Sequence, residues 1–341
     1  MLNKELFKKL KRLSLAEELP SHDYIAYIAD KVVTVLENEN TDYRESFPAG
    51  KPGGLLDFTQ LSLPLVIIPD IHARADFLMN ILSFVPPKDF LDDSKLNLYE
   101  AIETGKVRMV CVGDILHSEL RGIKRWEKAS TEFSEGVFNG KAMRKEMQEG
   151  LASLCMIMEC KSAFPKFFHC LKGNHENIMN QSGGGDFPFR KFADEGQMVK
   201  VFMQTVYGDD ILMLISYFER NLPLAAVFDS CVVSHAEPRR AFSRKELICG
   251  MGNAEVVSSL TWTENNSAAN GSVAAMLSML TGRADINSLR YFGGHRPVKG
   301  NYALRQNNLY VQIHNPALQN ITLVYENKIF DPETDIVSVE K

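Results

Sequence analysis

A single repeated pattern does most to constrain this chain. After residue 60, short apolar runs recur at strand length, and five of them end in a turn that presents Asp, His or Asn. The runs are Leu65 to Ile68, Val107 to Val112, Phe167 to Leu171, Leu224 to Phe228, Cys231 to Ser234, Tyr291 to Gly294, Leu309 to Ile313 and Ile321 to Tyr325. They are rich in Val, Ile, Leu, Phe and Tyr, which pack well on a pleated surface, so each predicts a strand. In the first half they alternate with segments that can be helical, and near the carboxyl end strands follow one another closely. That order predicts an α/β core whose second sheet is the more antiparallel.

The first sixty residues read differently. Leu2, Phe7, Leu10, Leu13 and Leu15 follow an approximate helical period, and Tyr24 to Leu36 repeats it with Ile25, Ile28, Val32, Val33 and Val35. FPAGKPGG, residues 47–54, is a breaker, so the main domain is expected to start just after it: a helical extension over 1–60, then one domain over 61–341. The Lys-rich first helix could lie on a membrane surface, but a helix packed on the body with a solvated Lys face is the expectation. QSGGGD (181–186) and ENNSAANG (264–271) read as flexible loops.

A length of 341 residues with 45% apolar and 24% charged residues suits one large globular unit and excludes disordered and fibrous classes. Thirty-eight basic against 43 acidic residues leave a formal charge of −5, so no nucleic-acid polymer is expected to bind through bulk charge. The six cysteines are scattered, mostly within apolar runs, and read as buried thiols in a reducing compartment. With no apolar stretch of signal-peptide or membrane-span length, a soluble cytoplasmic protein is expected.

The polar residues at the run ends carry the chemistry. Asp70 and His72 follow LVIIP; Asp114 and His117 follow VRMVCVG; Asn174, His175 and Glu176 follow FHCLKG; His235 follows CVVS; His295 follows YFGG. Alone, each has an ordinary explanation, since Asp70 could cap a helix and Asp114 could serve a turn. In an open α/β sheet, however, the carboxyl ends of strands face one crevice, so these residues converge. His22, His169 and His314 lack this context and read as surface or packing residues. Carboxylates, imidazoles and one amide oxygen suit divalent Mn, Fe, Zn, Co or Ni. A carboxylate such as Asp114 can bridge two ions ~3.5–4 Å apart, and such a pair clamps a phosphoryl group for in-line attack. Phosphoester hydrolysis is the natural chemistry.

PDIH (69–72), VGDILHSE (112–119), KGNHE (172–176), SHAEP (234–238) and GGHRP (293–297) together resemble the calcineurin-like metallophosphoesterases, most closely the phosphoprotein phosphatase type. LTWTENN (260–266) and VQIHNP (311–316) resemble that family's tryptophan-containing loop and its late substrate-side loop, and the likeness runs over about residues 60–330. The resemblance implies a metallophosphoesterase sandwich of α/β (α+β) class, with two mixed β-sheets packed face to face and flanked by helices. It implies two divalent metal ions (Mn, Fe, Zn or similar). Asp70 and His72 would hold the first, Asp114 would bridge, and Asn174, His235 and His295 would complete the second. A hydroxide bridging the ions would attack phosphorus while His175 protonates the leaving oxygen, with Glu176 orienting neighbouring groups.

Two departures matter. Where the family carries a second Asp and a phosphate-gripping Arg, this chain has His117 and Ser118. His117 would then have to orient His175, and Arg121 and Arg125 would have to bind phosphate, with Arg74, Arg239, Arg283 and Arg296 as further candidates. The substrate is a phosphorylated protein or small molecule, phosphoserine or phosphothreonine among the options. A nucleotide-directed hydrolase acting on dinucleoside polyphosphates or cyclic phosphodiesters, and a noncatalytic metal-binding module, remain the alternatives.

Overall fold

The computed structural model describes residues 3–47, 50–92 and 95–340; Leu2, Pro48 and Ala49 of the segments read above lie outside them. The chain opens with helices α1 (Lys4–Ser14) and α2 (His22–Glu37), then strands β1 (Leu55–Asp57) and β2 (Leu65–Ile68). Next come α3 (Ala75–Ser83), α4 (Leu98–Glu103), β3 (Arg108–Cys111), α5 (Ile123–Ser134), α6 (Lys141–Ala163), β4 (Phe168–Cys170) and α7 (Glu195–Arg220). The second half runs β5 (Ala225–Val227), β6 (Cys231–Ser234), α8 (Arg244–Ile248), α9 (Ala254–Thr261), α10 (Ser272–Thr281) and β7 (Arg290–Gly293). It closes with β8 (Ala303–Arg305), β9 (Tyr310–Gln312), β10 (Asn320–Val324), α11 (Pro332–Asp335) and β11 (Ile336–Ser338). A strand overlaps each of the eight expected runs. The three unexpected ones, β1, β8 and β11, are three residues each, too short to show a period.

Two mixed sheets form. One has the order β11-β10-β2-β3-β4, parallel across β2, β3 and β4 and antiparallel at β10 and β11. The other has the order β1-β5-β6-β7-β9-β8. The expectation of a more antiparallel second sheet is corrected: β1/β5, β6/β7 and β7/β9 are parallel, and only β5/β6 and β8/β9 are antiparallel. The reason lies in α8, α9 and α10. These short helices form a crossover between β6 and β7 that returns the chain in the same direction.

Period-two alternation stacks the layers. Leu65 and Ile67, Val110 and Val112 face Val233, Phe292 and Val311 of the other sheet and make the inner core. Their neighbours Val66, Ile68, Met109 and Cys111 face a helical layer built from α1, α2, α3, α5, α6 and α7. On the far side, Val232, Tyr291 and Tyr310 pack against α8 to α10. The result is helix, sheet, sheet, helix, with each fully buried Leu, Ile, Val or Phe contributing about 1.5–3 kcal/mol.

Within the first sixty residues, α1 buries Leu6 and Leu10 against α3 and α6 while Lys4, Lys8 and Lys11 stay exposed. Leu55 to Asp57 pair with β5, so this stretch supplies helices to one layer and an edge strand to a sheet. Just past α2, the buried Glu39 carboxylate pairs with Arg44 and Lys161, and His169 Nδ1 lies 3.1 Å from Lys161 Nζ, tying α2, α6 and β4 together. Among the described residues no helix is long and apolar enough to cross a membrane, and all six cysteines are free.

Candidate metal centre

Strained turns gather at the strand ends. His72, Ala73, Asp114, His117, Glu119 and His295 all adopt positive φ, between 45° and 76°. The other non-glycine residues described with positive φ are four Asn and one Gln at turns, where Asn tolerates the left-handed region. Asp and His enter it more readily than Glu or Ala, but for any of them it costs of order 1 kcal/mol or more, and such strain marks places where side-chain aim outweighs backbone ease. Two glycines complete the cradle. A Cβ on Gly173 would overlap Asp114 Oδ1, and one on Gly294 would overlap Asp70 Oδ1.

Glu176 holds two of these turns together. Its buried carboxylate accepts from Asp114 N (2.9 Å), Ile115 N (2.9 Å) and Gly173 N (2.6 Å), locking the end of β3 to the end of β4. His175 N donates to Asp114 Oδ1 at 2.9 Å, and His295 N to Asp70 Oδ2 at 3.0 Å. Asp114 Oδ2 therefore faces inward, 3.4 Å from His235 Nε2, 3.6 Å from His72 Nε2 and 3.8 Å from His175 Nε2. Asn174 Oδ1 lies 3.0 Å from His235 Nε2 and 2.8 Å from His295 Nδ1.

The proton positions make this arrangement informative. A carbonyl oxygen can only accept, so the ring nitrogen facing it carries the proton. His72 Nδ1 faces His117 O at 2.9 Å and His235 Nδ1 faces Val112 O at 3.0 Å. Burial pushes both imidazoles well below their usual range, so both rings are neutral. Each Nε2 is then a lone pair, His72 Nε2 aimed among carboxylates and His235 Nε2 against Asn174 Oδ1 and Asp114 Oδ2. Lone pairs facing lone pairs are satisfied by a proton or a metal ion between them. His72 Nε2 and His295 Nε2 are buried without a hydrogen-bond partner. The carboxylates carry the complementary stress: burial and then repulsion from Asp70 and Glu176 raise Asp114 well above its usual range, and burial foremost raises Asp70 to about 6. A divalent ion reverses that balance, and these donors fit one in identity and tautomer. Ligands about 2.1 Å from an ion stand about 3.0–3.4 Å apart in octahedral or tetrahedral shells, so the observed spacing is a few tenths of an ångström looser.

Asp70, His72, Asp114, Asn174, His175, His235 and His295 are thus brought together. His117 is adjacent, its ring centroid 5.0 Å from that of His175 and stacked on Trp126 at 4.9 Å, but both of its ring nitrogens and His175 Nδ1 lack hydrogen-bond partners. Arg121 and Arg125 are not aimed at the centre. Arg121 is tied to Glu149 (2.7 Å) and the Ala73 carbonyl, and Arg125 to Glu146 and Glu149 on α6. Arg74 is spent on the Asp70 and Leu318 carbonyls, Arg283 on Asp229, and Arg239 is exposed.

Sequence reasoning passed over three residues here. His314, set aside as packing, is wholly buried beside Asp70, because it leaves β9 at the same end as the other ligand-bearing strands. Its signal was present, since it directly follows the run Leu309 to Ile313. Glu119 lies 3.5 Å from His72 Nε2 and forms an ion pair with Lys191. Burial raises its pKa, and the hydrogen bond from His314 and the Lys191 ammonium outweigh that to hold it below the carboxylate range. Glu195, at the start of α7, lies 3.6 Å from His117 Nε2. Nothing in the local pattern distinguishes either glutamate from a surface residue.

No protein-family model matches the sequence, and no curated protein matches it. Solved structures do. A protein serine/threonine phosphatase from Saccharomyces cerevisiae with similarity to human phosphatase PP5 aligns over 99% of this chain and 95% of its own, at a TM-score of 0.59 and 13% identity. A cold-active protein-tyrosine phosphatase of a psychrophile, Shewanella sp., aligns over 89% of this chain and 85% of its own, at a TM-score of 0.44 and 12% identity. The chain shares the α/β fold of the Saccharomyces cerevisiae phosphatase, and at this identity the fold is what is shared.

Proposed function

We propose that this chain is a phosphoester hydrolase whose two divalent ions are held by Asp70, His72, Asp114, Asn174, His235 and His295, with Asp114 shared. The observation that carries the reading is the convergence of the His235 and His72 Nε2 atoms on Asp114 Oδ2 at 3.4 and 3.6 Å. Bound there, a pair of divalent ions supplies Lewis-acid polarisation of a phosphoryl group and lowers the pKa of water. The chain's own residues do the rest. Glu176 fixes the two turns that aim Asp114 and Asn174. His175, whose Nδ1 is unpaired and whose Nε2 lies 3.8 Å from Asp114 Oδ2, delivers the proton to the leaving oxygen. Burial pushes it well below the usual imidazole range. A phosphate dianion in the crevice reverses that charge balance and favours the protonated ring. His117, backed by Glu195, packs against it and limits its rotation.

Phosphate needs a further cation, and Arg296 is the candidate. It follows His295, its Nη2 pairs with Glu264, its Nε is buried without a partner, and it lies close enough to feel the charges of Asp114 and Glu119. Phosphoserine or phosphothreonine is the proposed substrate, in line with the name of the Saccharomyces cerevisiae neighbour. Six unpaired cysteines, five of them buried, fit a reducing compartment, and the cytoplasm is the proposed location.

The test is His175→Asn, assayed on a phosphoserine peptide and on p-nitrophenyl phosphate with metal content measured alongside. Loss of a general acid should cost about 10²–10⁴-fold on the peptide, less on the aryl ester, whose leaving group needs little protonation, while two ions per chain remain. Equal losses on both substrates would sink the acid role; failure of the wild type to take up metal would sink the whole reading.

A further inference from the structure

We propose, on the dinuclear reading above, that His314 is a fourth protein ligand of the ion beside Asp70 and His72, with Glu119 fixing its tautomer. His314 Nε2 lies 3.0 Å from Glu119 Oε2. The carboxylate accepts, so Nε2 carries the proton and Nδ1 is left as a bare lone pair. That nitrogen is fully desolvated and has no hydrogen-bond partner. It lies 3.8 Å from Asp70 Oδ2, the same distance that separates Asp70 Oδ2 from His72 Nε2. Donor atoms of Asp70, His72 and His314 all fall within 4.8 Å of one another.

A histidine kept only for packing would leave an acceptor unmatched in the interior, where Leu or Phe fills the same volume without one. Here the unmatched lone pair points at a carboxylate and is adjacent to the lone pair of His72, the ring centroids being 5.1 Å apart. The carboxylate behind it is itself anchored by Lys191. Carboxylate, imidazole and cation in that sequence is the usual way a ligating histidine is oriented. Its position is set by the strand end, since Val298 N donates to His314 O at 2.9 Å.

Four protein donors then serve each ion. The Asp70 side has two carboxylates and two imidazoles; the Asn174 side has the shared carboxylate, an amide oxygen and two imidazoles. The extra negative charge makes the Asp70 side the tighter one, so a chelator empties the Asn174 side first.

The experiment is manganese titration of the full chain, read by elemental analysis and chelator competition, with an anomalous map of wild-type crystals grown with manganese. Wild type should hold two ions, and His314→Ala should lose the one beside Asp70 or bind it at least tenfold more weakly. Glu119→Gln should weaken the same ion about 10–100-fold. In the map, His314 Nδ1 should lie within about 2.3 Å of an ion, a readout that needs no variant to fold. Two ions in wild type with His314 Nδ1 beyond hydrogen-bond range of either, or His314→Ala binding both with unchanged affinity, overturns this inference and leaves the dinuclear reading standing. Fewer than two ions in wild type overturns the dinuclear reading beneath it.

Discussion

Replacing Glu176 by Gln should destabilise the chain by roughly 2–4 kcal/mol, through the turns rather than through the metal. The carboxylate is 3% exposed and accepts three backbone N–H groups, two at Oε2 and one at Oε1. An amide of the same shape has one acceptor oxygen. Its better placement keeps the bonds to Asp114 N and Gly173 N and turns an NH₂ toward Ile115 N, leaving one buried donor unmet at about 1–3 kcal/mol. The two surviving bonds lose their charge assistance, about 1 kcal/mol each. Against this, a neutral side chain avoids the desolvation that raises the pKa of Glu176, which offsets about 1 kcal/mol. Urea unfolding of the metal-free protein measures it: for an m value near 3 kcal/mol/M, the midpoint should fall by about 1 M with m unchanged. A variant within about 0.5 kcal/mol of wild type would show that these three N–H groups find other acceptors, and the account of how the turns are held would be wrong.

Other consequences are open to simpler tests. Burial, then Lys161, pull His169 down to about 4; its folded value is depressed, so the unfolded chain takes up the proton first and stability falls as pH drops from about 6.5 toward 4. His169→Asn should remove up to roughly 3 kcal/mol of that pH-dependent loss, and an unchanged slope between pH 7 and 4 would refute it. Gly294→Ala inserts a methyl against Asp70 Oδ1 and should reduce manganese content from two ions toward one; normal stoichiometry would mean that the carboxylate moves freely. Arg296→Ala should lower kcat/KM for phosphoester substrates about 10–100-fold, the worth of one charge-assisted hydrogen bond, with both ions retained, and an effect confined to metal loss would reassign the residue.

Much of this architecture was legible because buried strands write themselves as apolar runs. All eight runs appear as strands, and the Asp, His and Asn at their ends meet in one buried cluster. What stayed hidden had no local signature. The three-residue strands β1, β8 and β11 owe their conformation to a neighbour's edge, and pairing direction in the six-stranded sheet depends on where α8 to α10 lay the chain down. His314 obeyed the rule applied to His235 and His295, since it directly follows the run Leu309 to Ile313, and was nonetheless read as a packing residue. Glu119 and Glu195 could not have been picked out, since their roles arise only when the loop carrying Lys191 and the start of α7 pack beside the cluster. The arginines mislead for the opposite reason: Arg121 and Arg125 are near in sequence, but Glu146 and Glu149 on α6 claim them.

The left-handed turns that carry His72, Asp114 and His295 set stability and activity against each other. Glycine at any of them would relieve of order 1 kcal/mol of backbone strain, so a directed-evolution screen that rewards heat resistance alone would drift toward glycine there. Each such gain would delete a donor, and a library selected without a metal-dependent readout would converge on sturdier, inert proteins.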